Sequence, residues 1–128
     1  MPQRFELEAT PESPSILLDK DQNKFVIKGR SLPEDPQTFY GKIHNWFNDY
    51  SDSPNSLTEI RIILDYINTS SGKELLELMI NLEKITKQDK EVIAKFYCRE
   101  NDEIMRMWIE EIADLSPVRV DLVYYEEN

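Results

Sequence analysis

Apolar positions along the chain fall into two rhythms, a strict alternation and a spacing of three to four residues, and these rhythms set the predicted elements. Residues 15–18 and 24–28 are short apolar runs around Asp19-Lys20-Asp21-Gln22-Asn23, the arrangement expected of a β-hairpin, with Gly29 ending its second strand. Before them only residues 4–8 are suited to pair, as a short edge strand. Residues 31–36 read as a loop ending in Asp35-Pro36, a helix start in which the carboxylate caps free N–H groups and proline fits the first turn. Phe39, Tyr40, Ile43, Trp46, Phe47 and Tyr50 then recur at helical spacing. After a break at residues 51–56, Leu57, Ile60, Ile62, Ile63, Leu64 and Ile67 mark a long strand, expected to be covered on both faces near its end.

A second helix is expected from about Ser71 to Lys87. Leu75, Leu78, Met79, Leu82 and Ile85 fall on one side of it, with Lys73, Glu74, Glu77, Asn81 and Lys84 opposite. Residues 92–98 form the next strand, rich in β-branched and aromatic side chains. Asn101-Asp102-Glu103 opens a third helix, whose buried stripe is expected to be Ile104, Met105, Trp108, Ile112 and Leu115. Val118, Val120, Leu122 and Tyr124 alternate as the last strand, and residues 125–128 follow as an acidic tail. A hairpin followed by alternating helices and strands favours parallel pairing through right-handed crossovers. The expected fold class is α/β: one small domain over residues 1–128, a mixed β-sheet with helices packed on it, and residues 1–14 as an extension or edge strand.

Composition narrows the function. A chain of 128 residues with 40% hydrophobic positions supports one core, with little to spare for an elaborate buried active site. Twenty-five acidic against 15 basic residues give a formal charge of −10, which argues against nucleic acid or an anionic membrane as partner and permits protein partners with basic docking faces. The single cysteine, Cys98, excludes an internal disulfide and a Cys-x-x-Cys metal or redox motif. The first residues lack a signal-peptide core and no apolar run reaches membrane-spanning length, so a cytoplasmic location is expected.

The chemistry of interest lies where the long strand gives way to the second helix, at Asn68-Thr69-Ser70-Ser71-Gly72-Lys73. In open α/β sheets, ligands and partners meet the carboxyl ends of strands. Three consecutive hydroxyls there permit three readings: a helix cap, an anion site at the helix N-terminus, or a phosphoacceptor. Ser70 or Ser71 suits the cap, with Glu74 in reach to complete a capping box. One cap leaves two hydroxyls without a role, and Gly72 offers room for another backbone or a phosphate donor. Leu76 and Ile80 flank the core side of the same helix and form a candidate partner surface.

Asn68-Thr69-Ser70-Ser71, followed by a lysine and a leucine-rich helix, resembles the signature of the SiaC family of bacterial regulatory phosphoproteins. Gly29-Arg30-Ser31-Leu32-Pro33-Glu34-Asp35-Pro36, then Phe39-Tyr40 and Trp46, looks like the first half of that family. The resemblance covers roughly residues 15–124. It implies a fold similar to the STAS domains of anti-sigma-factor antagonists, which carry a phosphorylated serine or threonine at the same junction. Thr69 matches the family's phosphoacceptor, with Ser70 and Ser71 as alternates or caps. The family pattern further implies a GHKL-type protein kinase, a PP2C-type phosphatase and a diguanylate cyclase that the unphosphorylated form binds and activates. The output would be cyclic di-GMP signalling and control of biofilm or aggregation. Asn68 stands where many STAS domains have aspartate, which weighs against the alternative of a direct anti-sigma antagonist.

Enzymatic readings find few parts. His44 is the only histidine, adjacent acids such as Glu110-Glu111 point in different directions on a helix, and no glycine-rich phosphate loop is present. No catalytic residues, metal or cofactor are expected. The expected activity is binding.

Overall fold

In the computed structural model, which describes residues 2–126, β1 (Phe5–Leu7) lies antiparallel to β2 (Ser15–Asp19), so the N-terminal stretch does supply an edge strand. β2 turns into β3 (Lys24–Ser31) through the predicted polar run, with Asn23 at φ 55°, a left-handed conformation that asparagine tolerates. The chain continues through α1 (Pro36–Tyr50), β4 (Leu57–Ile67), α2 (Thr69–Thr86), β5 (Glu91–Arg99), α3 (Glu103–Leu115) and β6 (Arg119–Tyr125). The sheet order is β1-β2-β3-β4-β5-β6, antiparallel as far as β3 and parallel from there on. The acidic tail extends beyond the described residues.

β3, β4, β5 and β6 are joined by three successive helical crossovers stepping in one direction. Crossovers of a single hand therefore place α1, α2 and α3 on the same side of the sheet. Burial follows that geometry. In β4, Thr58, Ile60, Ile62 and Leu64 are buried, whereas Arg61 and Asp65 are exposed. The expectation that the end of β4 is covered on both faces is thus corrected, because α1, α2 and α3 all lie on the other face.

Under α1, Phe25 meets Trp46, Phe47 and Tyr50 with ring centroids 5.3 to 6.0 Å apart, so the aromatic spacing of that helix is packing. Asp35 caps α1 by accepting from the Thr38 amide at 3.2 Å, as its sequence predicts. Gly29 does not end β3. It sits at φ +130° beside a register shift between Gly29 and Arg30, and the strand resumes through Ser31. A glycine tolerates that dihedral, and the resulting bulge re-aims the strand end towards the start of α2.

The stripe of α3 also differs from expectation. Met105, Ile109 and Ile112 are buried and Trp108 is half-buried, but Ile104 and Leu115 are 74% and 59% exposed. The helix lies near the sheet edge formed by β6, where there is less neighbouring surface to cover a wide apolar face.

Candidate phosphoacceptor site

α2 begins two residues earlier than the apolar periodicity indicates. Asn68 is its cap, with φ −93° and ψ 172°, and its side chain accepts from the Ser71 amide at 2.9 Å. Neither Ser70 nor Ser71 caps the helix. The choice is tertiary: the Asn68 amide donates to the Ser31 carbonyl at 3.1 Å, which extends the β3–β4 ladder by one residue and holds Asn68 extended. The next residue is then free to start the helix, and the Asn68 carbonyl accepts the first helical bond from Gly72 at 3.0 Å. Glu74 completes no capping box. Its carboxylate lies 3.2 Å from His44 Nε2 on α1. Removing the cap with Asn68→Ala should cost about 1 kcal/mol of stability, read as a lower urea midpoint with an unchanged slope.

The three hydroxyls part company in the first turn. Thr69 and Ser70 are exposed, whereas Ser71 is fully buried. Ser71 points inward beside Tyr40, whose hydroxyl lies 2.5 Å from Ser31 Oγ in a buried pair. Burial pushes the Tyr40 phenol up to about 12, against the opposing pull of the Ser31 and Ser71 hydroxyls, so the ring stays neutral. Ser71 Oγ itself is buried without a well-formed hydrogen bond. Burial removes Ser71 from the reach of a modifying enzyme, and Thr69 and Ser70 remain accessible. The segment from Gly29 to Tyr40 and the segment from Asn68 to Gly72, far apart in sequence, are thus one local structure.

Gly72 has a different role from the one its position suggests. A Cβ built on it would stand 2.4 Å from Trp108 Cζ3, so what approaches its backbone is the indole of α3 and not an outside group. Lys73 is exposed, Leu76 is half-buried and Ile80 is 53% exposed. Thr69, Lys73, Leu76 and Ile80 follow the helical spacing of one stripe, so the outward face of α2 carries a threonine, a cation and two apolar groups in succession. Sequence reasoning missed Met107 on α3, 63% exposed, which with Ile104 adds exposed apolar surface to the helix that seats Trp108 on Gly72. The available signal was the spacing of Ile104, Met107 and Leu115, which defines a second apolar face displaced from the buried one.

Nothing in this region favours nucleophilic chemistry. Cys98 is 1% exposed, and burial, reinforced by the Asp102 carboxylate, pushes its thiol up. Its Sγ donates only to the Arg99 and Asp102 carbonyls, at 3.3 and 3.5 Å. Among the described residues no helix is long and apolar enough to cross a membrane.

The family profile of the SiaC family regulatory phosphoproteins matches residues 7–125, all three helices and the whole sheet apart from the start of β1. The chain belongs to the SiaC family. Membership agrees with a regulatory rather than a catalytic role. One relative, an uncharacterized protein of Pseudomonas aeruginosa strain UCBPP-PA14, is 24% identical over 99 residues, covering 77% of this chain and 79% of its own. SiaC of Pseudomonas aeruginosa, in the crystal structure of diguanylate cyclase SiaD in complex with its activator SiaC, superposes with a TM-score of 0.86 at 20% identity. That match covers 94% of this chain and 99% of the other. The crystal structure of apo-SiaC from the same organism gives a TM-score of 0.83 at 19% identity, over 94% and 98% of the two chains. The α/β fold of this chain is therefore the SiaC fold.

Proposed function

We propose that this protein is a phosphorylation-switched activator of a diguanylate cyclase, with Thr69 as the switch residue. The observation that carries the reading is the placement of Thr69: exposed, first in an 18-residue helix, and held by a cap that the end of β3 fixes. A phosphate there is compatible with the fold. The helix N-terminus favours an anion, the first turn contains no acidic residue, and Lys73 stands one turn on. Folding therefore continues after modification, and the effect falls on whatever docks over Thr69.

The docking face is the outward stripe of α2, with Thr69, Ser70, Lys73, Leu76 and Ile80, widened by Ile104 and Met107 of α3. Asn68, Ser71 and Gly72 serve it from beneath, as cap, filler and seat for Trp108. A cyclase seated on this face covers Thr69 in the unmodified state. A phosphate adds about −1.5 to −2 charges and a bulky hydration shell, and both must be displaced for the cyclase to seat. A GHKL-type kinase would add that phosphate and a PP2C-type phosphatase would remove it, in the cytoplasm where cyclic di-GMP acts. The fold shared with an activator of a cyclase favours this target over an anti-sigma kinase.

The reading is tested by adding the purified protein to a purified diguanylate cyclase from the same organism and following cyclic di-GMP formation. A rise in rate that saturates with the protein is expected. An unchanged rate at saturating concentration would refute the cyclase as partner and leave the placement of Thr69 intact.

A further inference from the structure

We infer that His44, Glu74 and Glu77 form a binding site for a single divalent transition cation, with zinc as the type ion. The imidazole of α1 and two carboxylates of α2 place their ligand atoms all within 4.8 Å of one another. A tetrahedral zinc with bonds of about 2.0–2.2 Å asks for ligand atoms roughly 3.4 Å apart. His44 Nε2 and the Glu74 carboxylate are already 3.2 Å apart, so only a reorientation of Glu77 is needed. Glu74 and Glu77 are three residues apart on one helix and therefore project to the same side.

The surroundings suit a cation. His44 and Glu74 have side chains only 18% and 14% exposed, which fixes two ligands, while exposed Glu77 closes the site from the solvent side and leaves room for water as fourth ligand. The groove beside these ligands is lined by His44, Asn48, Glu77, Ile80 and Asn81, so it is polar on most sides and open to solvent. Asn48 Oδ1 accepts from Lys84 Nζ, so that ammonium is engaged by the carboxamide. Among the described residues, no lysine or arginine forms an ion pair with Glu74 or Glu77. Two carboxylates and a neutral imidazole carry a charge that one dication cancels. The nitrogen and oxygen donor set suits zinc, cobalt or nickel better than calcium, which takes oxygen alone.

A cation bound there ties α1 to α2 just beyond the first turn that carries Thr69. Occupancy would stabilise the folded chain by mass action and stiffen the switch helix. This inference stands on its own geometry and does not depend on the cyclase.

The experiment uses untagged protein stripped with EDTA, titrated with zinc chloride by calorimetry and by nitrogen-15 NMR of the imidazole. His44 is the only histidine in the chain, so the NMR signal has one source. One equivalent is expected to bind and to shift Nε2. Glu77→Gln and His44→Ala should each weaken binding by at least tenfold, the lower bound set by the loss of a mere supporting residue at metal sites. Glu77→Gln changes an exposed side chain and should leave the melting temperature of the metal-free protein in place. Absence of stoichiometric binding, or binding equally strong in both variants, would overturn the site.

Discussion

Glutamate in place of Thr69 is expected to reduce affinity for the diguanylate cyclase by about 100-fold, whereas alanine or serine should leave it within a few-fold of the parent. A charge stranded at a desolvated contact costs about 2–5 kcal/mol, and about 3 kcal/mol corresponds to roughly two orders of magnitude in dissociation constant. The fold should be indifferent to the same change. Thr69 is exposed, makes no side-chain contact on which the core depends, and sits at the end of the helix that tolerates negative charge. Surface plasmon resonance with all three variants separates the outcomes. Equal affinity for alanine and glutamate at position 69 would place the partner elsewhere on the molecule.

Gly72→Ala offers an equally large effect on stability, with a sign opposite to helix propensity. In a helix, alanine is favoured over glycine by about 1 kcal/mol, less in the first turn, so propensity alone predicts stabilisation. Sterics predict the reverse, because the new methyl carbon would lie 2.4 Å from Trp108 Cζ3 and 2.9 Å from both Cε3 and Cη2. The indole cannot shrink, so the ring must turn or α3 must lift from its seat. Overpacking of this kind costs about 1–3 kcal/mol, and a net loss of about 2 kcal/mol is expected in urea unfolding. Trp108→Leu in the same background should recover at least half of that loss, because the two positions are in contact and their effects do not add. A neutral or stabilising Gly72→Ala would mean that α3 sits less tightly on α2 than described. Displacing Trp108 would also move Ile104 and Met107, so cyclase affinity should fall together with stability.

The sequence reads well where a local signal has one interpretation. Asp35-Pro36 starts α1, the polar run before Lys24 turns the hairpin, and alternation in Val92 to Cys98 buries one side of β5. It reads poorly where neighbours in sequence are equally suited and a distant residue decides. Asn68, Thr69, Ser70 and Ser71 all belong to good capping types, and only the Ser31 carbonyl, delivered by the bulge at Gly29, selects Asn68. Likewise, nothing local shows that Ser71 faces Tyr40 or that Gly72 seats an indole 36 residues away. The segment was legible as a hydroxyl cluster at a strand end, and its resemblance to the SiaC signature singled out Thr69. The division into two outward hydroxyls and one inward belongs to the packing. The stripes of α3 are not legible in the same way, because its buried and exposed apolar positions lie side by side and periodicity alone does not rank them.

One phosphate on Thr69 is proposed to decide whether the cyclase is bound. The most direct measurement is calorimetric titration of the cyclase with two forms of the native sequence: unmodified, and phosphorylated to completion with the modified residue located by peptide mass spectrometry. Phosphate on Thr69 is expected, with saturable binding of the unmodified protein and loss of binding by about 100-fold or more in the phosphorylated form, restored by phosphatase. Phosphate found only outside Thr69 and Ser70, or equal affinity of the two forms, would contradict the proposal.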